Sequence, residues 1–360
     1  MVLYVAGDIG GTNSRLQLFD YTDRYEQLLS ENTYPSKKYN SMVEILNIFI
    51  QACYKTNKIH KSTPIIACTL AVAGPVNHNT VRLTNLNWVI NGDEIESKCH
   101  IRKCMIVNDF AGIGYGLLDL KPYDYIQLNP DIRPILHAPK SCLGAGTGLG
   151  ECYLTYNGKE YDVWSCEGGH TDYPPRNDLE YELLQYIKAH HNIDGVSIER
   201  VVSGMGLTNI YDFLAQKYGN VHGDVLKEIE AGNDKNAVIT TYALSQQCNI
   251  CIQSVDLFMS LYGAEAGNLA LKTLPFGGIY IAGGIASKIM WSLFKNNQFY
   301  NSFISKGRMS TVLQQVPIYI VTAPQIGLLG SRVLCKRIVR DYNQQNSSKN
   351  HEHKLIHSKL

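Results

Sequence analysis

The deficits of this chain narrow its function more than its abundances do. No apolar run reaches the roughly 18 residues of a membrane span, and the first residues lack a signal peptide's charged and apolar regions. An excess of one charge is missing too: 33 basic against 32 acidic residues leave a net charge of +1. Nothing there favours nucleic acid or an anionic membrane as partner, so a phosphorylated ligand would have to be met locally, by backbone donors and a metal. No His and Cys cluster has zinc spacing. Of the 10 cysteines, most (Cys53, Cys68, Cys142, Cys152) stand among hydrophobic residues and read as reduced, buried side chains of an intracellular protein. Cys248 and Cys251 form a CxxC inside a helical pattern, without a second pair, and read as packing. The P-loop G-x-x-x-x-G-K-[ST] is absent, and Leu149 stands where a dinucleotide fingerprint beginning at Gly144 needs its last glycine.

What remains is a 360-residue chain, 45% hydrophobic and 18% charged, suited to a soluble protein of about two domains. Its first hydrophobic strand, Leu3 to Ala6, runs into Gly7-Asp8-Ile9-Gly10-Gly11-Thr12-Asn13 and resumes at Arg15 to Phe19. Such a hairpin is a tight turn or a phosphate cradle; glycines let backbone N–H groups approach phosphate oxygens. Thr12 and Asn13 add donors, and Asp8 offers a carboxylate to a metal carried by the nucleotide, through water. The pattern recurs from Ser141, with Gly144-Ala145-Gly146-Thr147-Gly148-Leu149-Gly150 between strands. Two such loops opening two halves predict related α/β domains around a cleft, clamping one polyphosphate. A third turn, Ile281 to Ala286 with Gly283 and Gly284, ends a strand and opens a helix; it lies against a flat ligand such as adenine or packs strand on helix.

Periodicity predicts a helix capped by Ser41 with Met42, Ile45, Leu46, Phe49 and Cys53 on one face. Residues 64–73 read as a buried strand, and a short helix follows Asn91. Another strand stops at Asn108-Asp109, with a helix over 111–120. One long apolar helical pattern starts at Asn236, with Gly263 and Gly267 spaced for close packing. Residues 316–321 read as the last strand, 328–339 as a terminal helix, and the polar stretch 341–360 as disordered.

Asp109, at a strand end, can accept the proton of a hydroxyl attacking a γ-phosphoryl group, or can cap the following helix. Glu167-Gly168-Gly169-His170 sets a carboxylate and an imidazole around two glycines, a pair able to satisfy vicinal sugar hydroxyls. Glu199 could add a third contact or serve as a surface or capping residue. Asn85, beside Trp88, offers an amide near an aromatic, as sugar sites and ordinary turns both do.

GDIGGTN, TNLNW, IVNDF, GAGTGLG, EGGH, ERVVSGMGL, FGGIYIAGGI and GLLGS occur in the order seen in bacterial-type glucokinases, and the chain resembles that family over residues 3–335. The resemblance implies the two-domain actin/hexokinase/Hsp70-type ATPase fold. It implies a small α/β domain (1–110 with about 322–340) and a larger α+β domain (111–321). It implies ATP:glucose 6-phosphotransfer, the first step of glycolysis, with ATP and Mg2+, and a homodimer. By the same likeness Gly7, Asp8, Ile9, Gly10, Gly11 and Thr12 meet ATP phosphates, joined by Gly146, Thr147, Gly148, Gly283 and Gly284. Asn85, Asn108, Glu167, His170 and Glu199 hold the sugar, and Asp109 becomes the base on the 6-hydroxyl. Pro174-Pro175-Arg176-Asn177 stands where the related repressor/kinase group carries a zinc motif, so the zinc-free branch is implied. Another hexose or amino sugar as substrate, or a non-catalytic nucleotide-binding scaffold on this fold, are the alternatives. The terminal Ser358-Lys359-Leu360 matches a peroxisomal address and predicts import through its receptor, with the cytoplasm as the alternative location.

Overall fold

A computed structural model of the chain describes residues 2–22, 25–60, 62–83, 85–219, 221–285, 289 and 297–357. Thr84, Ala286 and Ser358-Lys359-Leu360, which the sequence reading singled out, lie outside them. The chain divides into two compact units, Met1–Leu120 with Pro324–Leu360, and Lys121–Ala323. Sequence set the first change of unit at 110/111; contacts set it after Leu120.

The first unit is built on β1 (Leu3–Ile9), β2 (Asn13–Thr22), β3 (Tyr25–Pro35), α1 (Met42–Thr56) and β4 (Ile65–Val72). A small hairpin of β5 (Thr80–Leu83) and β6 (Trp88–Asn91) follows, then α2 (Gly92–Cys99), β7 (Ile101–Asn108) and α3 (Asp109–Gly116). The sheet runs β3-β2-β1-β4-β7, antiparallel through β1 and parallel from β1 to β7. Every residue of β4 is buried because both faces of the sheet are covered. On one face, α1 and α2 press Ile45, Leu46, Phe49 and Ile95 against Leu16, Leu18 and Leu70. Ser41 caps α1 by accepting a hydrogen bond from the Glu44 N–H at 3.2 Å. On the other face, the terminal helix (Ile326–His357) covers Tyr4, Ala6, Phe19 and Ile66 with Leu328, Cys335 and Val339. That helix corrects the expectation for 341–360. Residues 341–357 continue it rather than forming an unstructured tail, since no Pro or Gly interrupts them.

The terminal helix meets α3 through glycine. A Cβ on Gly330 would stand 1.7 Å from the Gly112 carbonyl oxygen, and one on Gly116 would stand 2.3 Å from that of Ile326. Ser331 donates to the Gly7 carbonyl at 2.8 Å. The closing GLLGS is therefore a packing device that fixes the terminal helix against β1 and α3.

The second unit repeats the first sheet's order. Its strands are β8 (Tyr125–Gln127), β9 (Lys140–Ala145), β10 (Leu149–Tyr156), β11 (Tyr161–Cys166), β12 (Ile279–Ala282) and β13 (Ile318–Val321). They run β11-β10-β9-β12-β13-β8, with the β9–β10 hairpin in the place β1–β2 holds in the first unit. Its helices include α4 (Asp178–His191), α5 (Gly204–Tyr218), α6 (Gly223–Glu230), α7 (Lys235–Leu244), α8 (Asn249–Thr273) and α9 (Gln298–Ile304). The long apolar pattern from Asn236 is two helices, not one. The chain breaks between α7 and α8, with Gln246 at φ +60° and the Cys248 thiol capping α8. Cys248 and Cys251 are both buried, and burial holds Cys251 well above the ordinary thiol range, which suits packing rather than redox chemistry. Gly263 and Gly267 admit α9, since a Cβ at either would stand within 2.4 Å of the Phe299 or Phe303 carbonyl oxygen.

Candidate active site

In the first unit, the glycine turn is narrower than its motif. Gly7 lies inside β1, where Leu70 and Leu16 occupy the space of its absent side chain, and Ile9 is buried beside it. Packing accounts for both. The turn proper is Gly10 to Thr12: the Gly10 N–H donates to the Asn13 carbonyl at 2.8 Å, and Ser36 donates to the Gly10 carbonyl at 2.8 Å. Gly11 faces Asn85, whose Nδ2 lies 3.6 Å from where a Cβ would be. Thr12 and Asn13 are exposed at the tip. Asp8 sits beside the first turn of the terminal helix, its carboxylate 3.8–3.9 Å from the Cβ position of Gly327. Burial raises its pKa and Arg15 lowers it, burial prevailing.

The structure separates two neighbours that sequence could not. Asn108, not Asp109, caps α3: its Oδ1 accepts from the Phe110 N–H at 2.9 Å and the Ala111 N–H at 3.3 Å, and its Nδ2 donates to the Gly74 carbonyl at 3.1 Å. Asp109 is the first residue of the helix proper, half-buried, with its Oδ1 accepting from the Phe110 N–H at 2.9 Å. The positive helix terminus favours a carboxylate there.

In the second unit, Gly146 closes a tight turn by donating to the Gly148 carbonyl at 2.8 Å. No atom lies within 4 Å of where a Gly146 Cβ would be, whereas at Gly148 the Glu199 Oε2 lies 2.4 Å away. That carboxylate also accepts from the Leu149 N–H at 2.8 Å. Glu199 is thus neither a helix cap nor a surface residue; it braces the second loop. Its own turn is held by the Ile198 N–H donating to the Thr171 carbonyl at 2.8 Å, which ties it to the residues after His170. Glu167 and His170 leave the end of β11 with both side chains more than half exposed, and Nε2 stands 3.8 Å from Oε2. Gly169 lies against the Leu149 carbonyl, 2.1 Å from a Cβ position. One end of β10 therefore gathers the second loop, Glu199 and the Glu167–His170 turn.

A cavity of about 500 Å3 brings the second loop to the third turn: Gly146, Thr147, Gly204, Asn236, Thr240 and Gly284 are among its lining residues. Gly283 reaches φ +91° and presses on the Ala145 carbonyl, so it packs strand on strand, while Gly284 lines the cavity and has open space at its Cβ position. Gly204, Asn236 and Thr240 were missed as site residues. The SGMGL segment held the signal for the first, since Ser203 caps α5 through the Gly206 N–H at 3.1 Å; Asn236 and Thr240 read only as part of a helical pattern. Among the described residues no group of three or more His, Cys, Asp or Glu side chains is placed to hold a metal. A single hard carboxylate such as Asp8 fits a magnesium ion brought in by phosphates and waters, which needs few protein ligands.

A glucokinase family model matches residues 5–338. The chain is 41% identical over 352 residues to a glucokinase of Nostoc punctiforme, covering 94% of this chain and all of that one. A Synechocystis glucokinase is 37% identical, covering 92% and 97%. The solved structure of a glucokinase from an Antarctic psychrotroph aligns with TM-score 0.78 and 28% identity over 94% of this chain and 99% of that one. These relatives share the actin-like ATPase fold implied by the motifs. Nostoc and Synechocystis are bacteria, whose cells have no peroxisomes, which overturns the peroxisomal reading of the terminal tripeptide; the cytoplasmic alternative fits them. On the family match and the near-complete identity coverage together, the chain belongs to the glucokinase family.

Proposed function

We propose that the chain transfers the γ-phosphoryl group of ATP to the 6-hydroxyl of glucose, with Asp109 as the base. The observation that carries this assignment is the position of Asp109, a half-buried carboxylate that opens α3 at the end of β7, next to the Asn108 that caps the helix. Asp109 takes the proton from the attacking hydroxyl as the phosphorus–oxygen bond forms and the bond to ADP breaks. On the second unit Glu167 and His170 are suited to accept from and donate to sugar hydroxyls, with Glu199 bracing the adjacent loop; on the first unit Asn85 and Asn108 carry the amides that the family resemblance assigns to the sugar. On the first unit the Gly11–Thr12 tip is suited to meet phosphate; on the second the Thr147–Gly148 loop is, and the cavity lined by Thr147, Asn236 and Gly284 takes the nucleoside. A magnesium ion supplied with ATP neutralises phosphate charge, and Asp8 would hold it through water. Assembly as a homodimer is proposed on family resemblance.

A coupled ADP-release assay with glucose, mannose, fructose and glucosamine tests the reading. Glucose should give the highest kcat/KM; strong preference for another sugar, or no ATP turnover with any, would overturn it.

A further inference from the structure

The turn that carries Glu167 and His170 rests on a buried carboxyl group. Glu151, on β10, is 1% exposed and pairs across the sheet with Cys166, the residue before Glu167. A Cβ on Gly168 would stand 1.9 Å from Glu151 Oε2, 2.6 Å from Cδ and 3.4 Å from Cγ. Carboxyl and turn are therefore in direct contact, and only a glycine permits it. The other oxygen, Oε1, is buried without a hydrogen-bond partner, a position that disfavours a full negative charge. Glu151, Glu167 and Gly168 line one cavity of about 630 Å3, together with Thr171 and Lys272.

The groups around Glu151 give it little compensation. From α8, Glu265 and Lys272 act on it with opposite signs, and the buried Tyr262 lies close; from β11, Cys166 does. Glu265 is itself buried with an unpartnered Oε1. Burial first, then Glu265, pushes the Glu151 carboxyl up to about 7.

Taking Glu167 and His170 as the sugar-holding pair, a reading on which this inference rests, we propose that Glu151 is a positioning residue for glucose. Its neutral carboxyl supports the Glu167–Gly168–Gly169–His170 turn in the sugar-binding conformation, and loss of its proton to solvent displaces that turn. An ionised carboxylate seeks water through the cavity it lines with Gly168, and cannot rotate there without pushing Gly168 aside.

The test is the pH profile of the glucose KM, with calorimetric glucose binding beside it, for the parent and Glu151→Gln. Between about pH 6 and pH 8 the parent's glucose KM should rise at least about threefold while its ATP KM does not follow. Glu151→Gln keeps the shape but has no proton to lose, and its glucose KM should stay flat. An equal rise in both proteins, or none in the parent, overturns the proposal. A second pair reads the contact directly. Gly168→Ala should weaken glucose binding about tenfold, and adding Glu151→Ala, which removes Oε2, Cδ and Cγ, should recover most of it; no recovery overturns the proposal as well. If Glu167→Gln and His170→Ala leave the glucose KM unchanged, the sugar-site reading has failed; if they raise it while Glu151→Gln tracks the parent, only the role of Glu151 has.

Discussion

The two units lay out the same sheet, a glycine hairpin followed by two parallel neighbours, yet they use their glycines for different ends. In the first unit, Gly7, Gly112, Gly116 and Gly330 are all filled in by neighbouring atoms, while the Gly10–Gly11 tip is left comparatively open. In the second, Gly146 and Gly284 face open space at a cavity, while Gly148 and Gly168 each seat a carboxylate. A glycine run is thus ambiguous by itself; what surrounds the absent Cβ separates scaffold from ligand contact.

The largest expected effect tests the unit that holds Asp109. Asp109→Asn should lower kcat by about 10³-fold, on the order of 4 kcal/mol of transition-state stabilisation, with the glucose KM within about threefold of the parent. Steady-state kinetics decides, and unchanged turnover would remove the base from the mechanism. Next comes the glycine crossing in the same unit. Gly330→Ala must separate the terminal helix from α3 and should destabilise by roughly 3 kcal/mol, read in urea unfolding. Gly146→Ala in the other unit should change stability by less than about 0.5 kcal/mol while raising the ATP KM. Equal unfolding midpoints for the two alanine variants would erase the contrast.

Another effect depends on pH. Folded Glu151 keeps its proton to about 7, whereas the unfolded chain releases it near 4.5. Its contribution is therefore intact below pH 4.5, declines as pH rises through that window, and is lost above 7. Glu151→Gln should gain stability over the parent as pH rises, by up to about 3 kcal/mol at pH 8 and little at pH 4. Urea titrations at both values check the sign. The cap costs less than the helix crossing: Asn108→Ala should lose about 1–2 kcal/mol of stability.

Much of this was legible in the residues. The Ser41 cap, the buried run at β4, the strand ending at Asn108 and both hairpins follow from spacing and side-chain chemistry alone. The division between Asn108 and Asp109 was not, because either residue type can cap a helix and only geometry shows which one does. Glu151 was invisible for a related reason: one glutamate in a strand reads as its solvent face unless the partner strand and α8 are known to close over it. The helical continuation beyond Asp341 was misread because polar composition argues against a core, not against a helix already started and free of Pro and Gly.

The first unit is discontinuous in the chain, and that has a consequence for biosynthesis. Tyr4, Ala6, Phe19 and Ile66 leave the ribosome early, but Leu328, Cys335 and Val339, which cover them, emerge only after the whole of Lys121–Ala323 has been made. At roughly 5–20 residues per second the delay is on the order of ten to forty seconds. Throughout it one side of the nascent sheet stays uncovered, a natural substrate for chaperones, while the intervening unit can finish folding first.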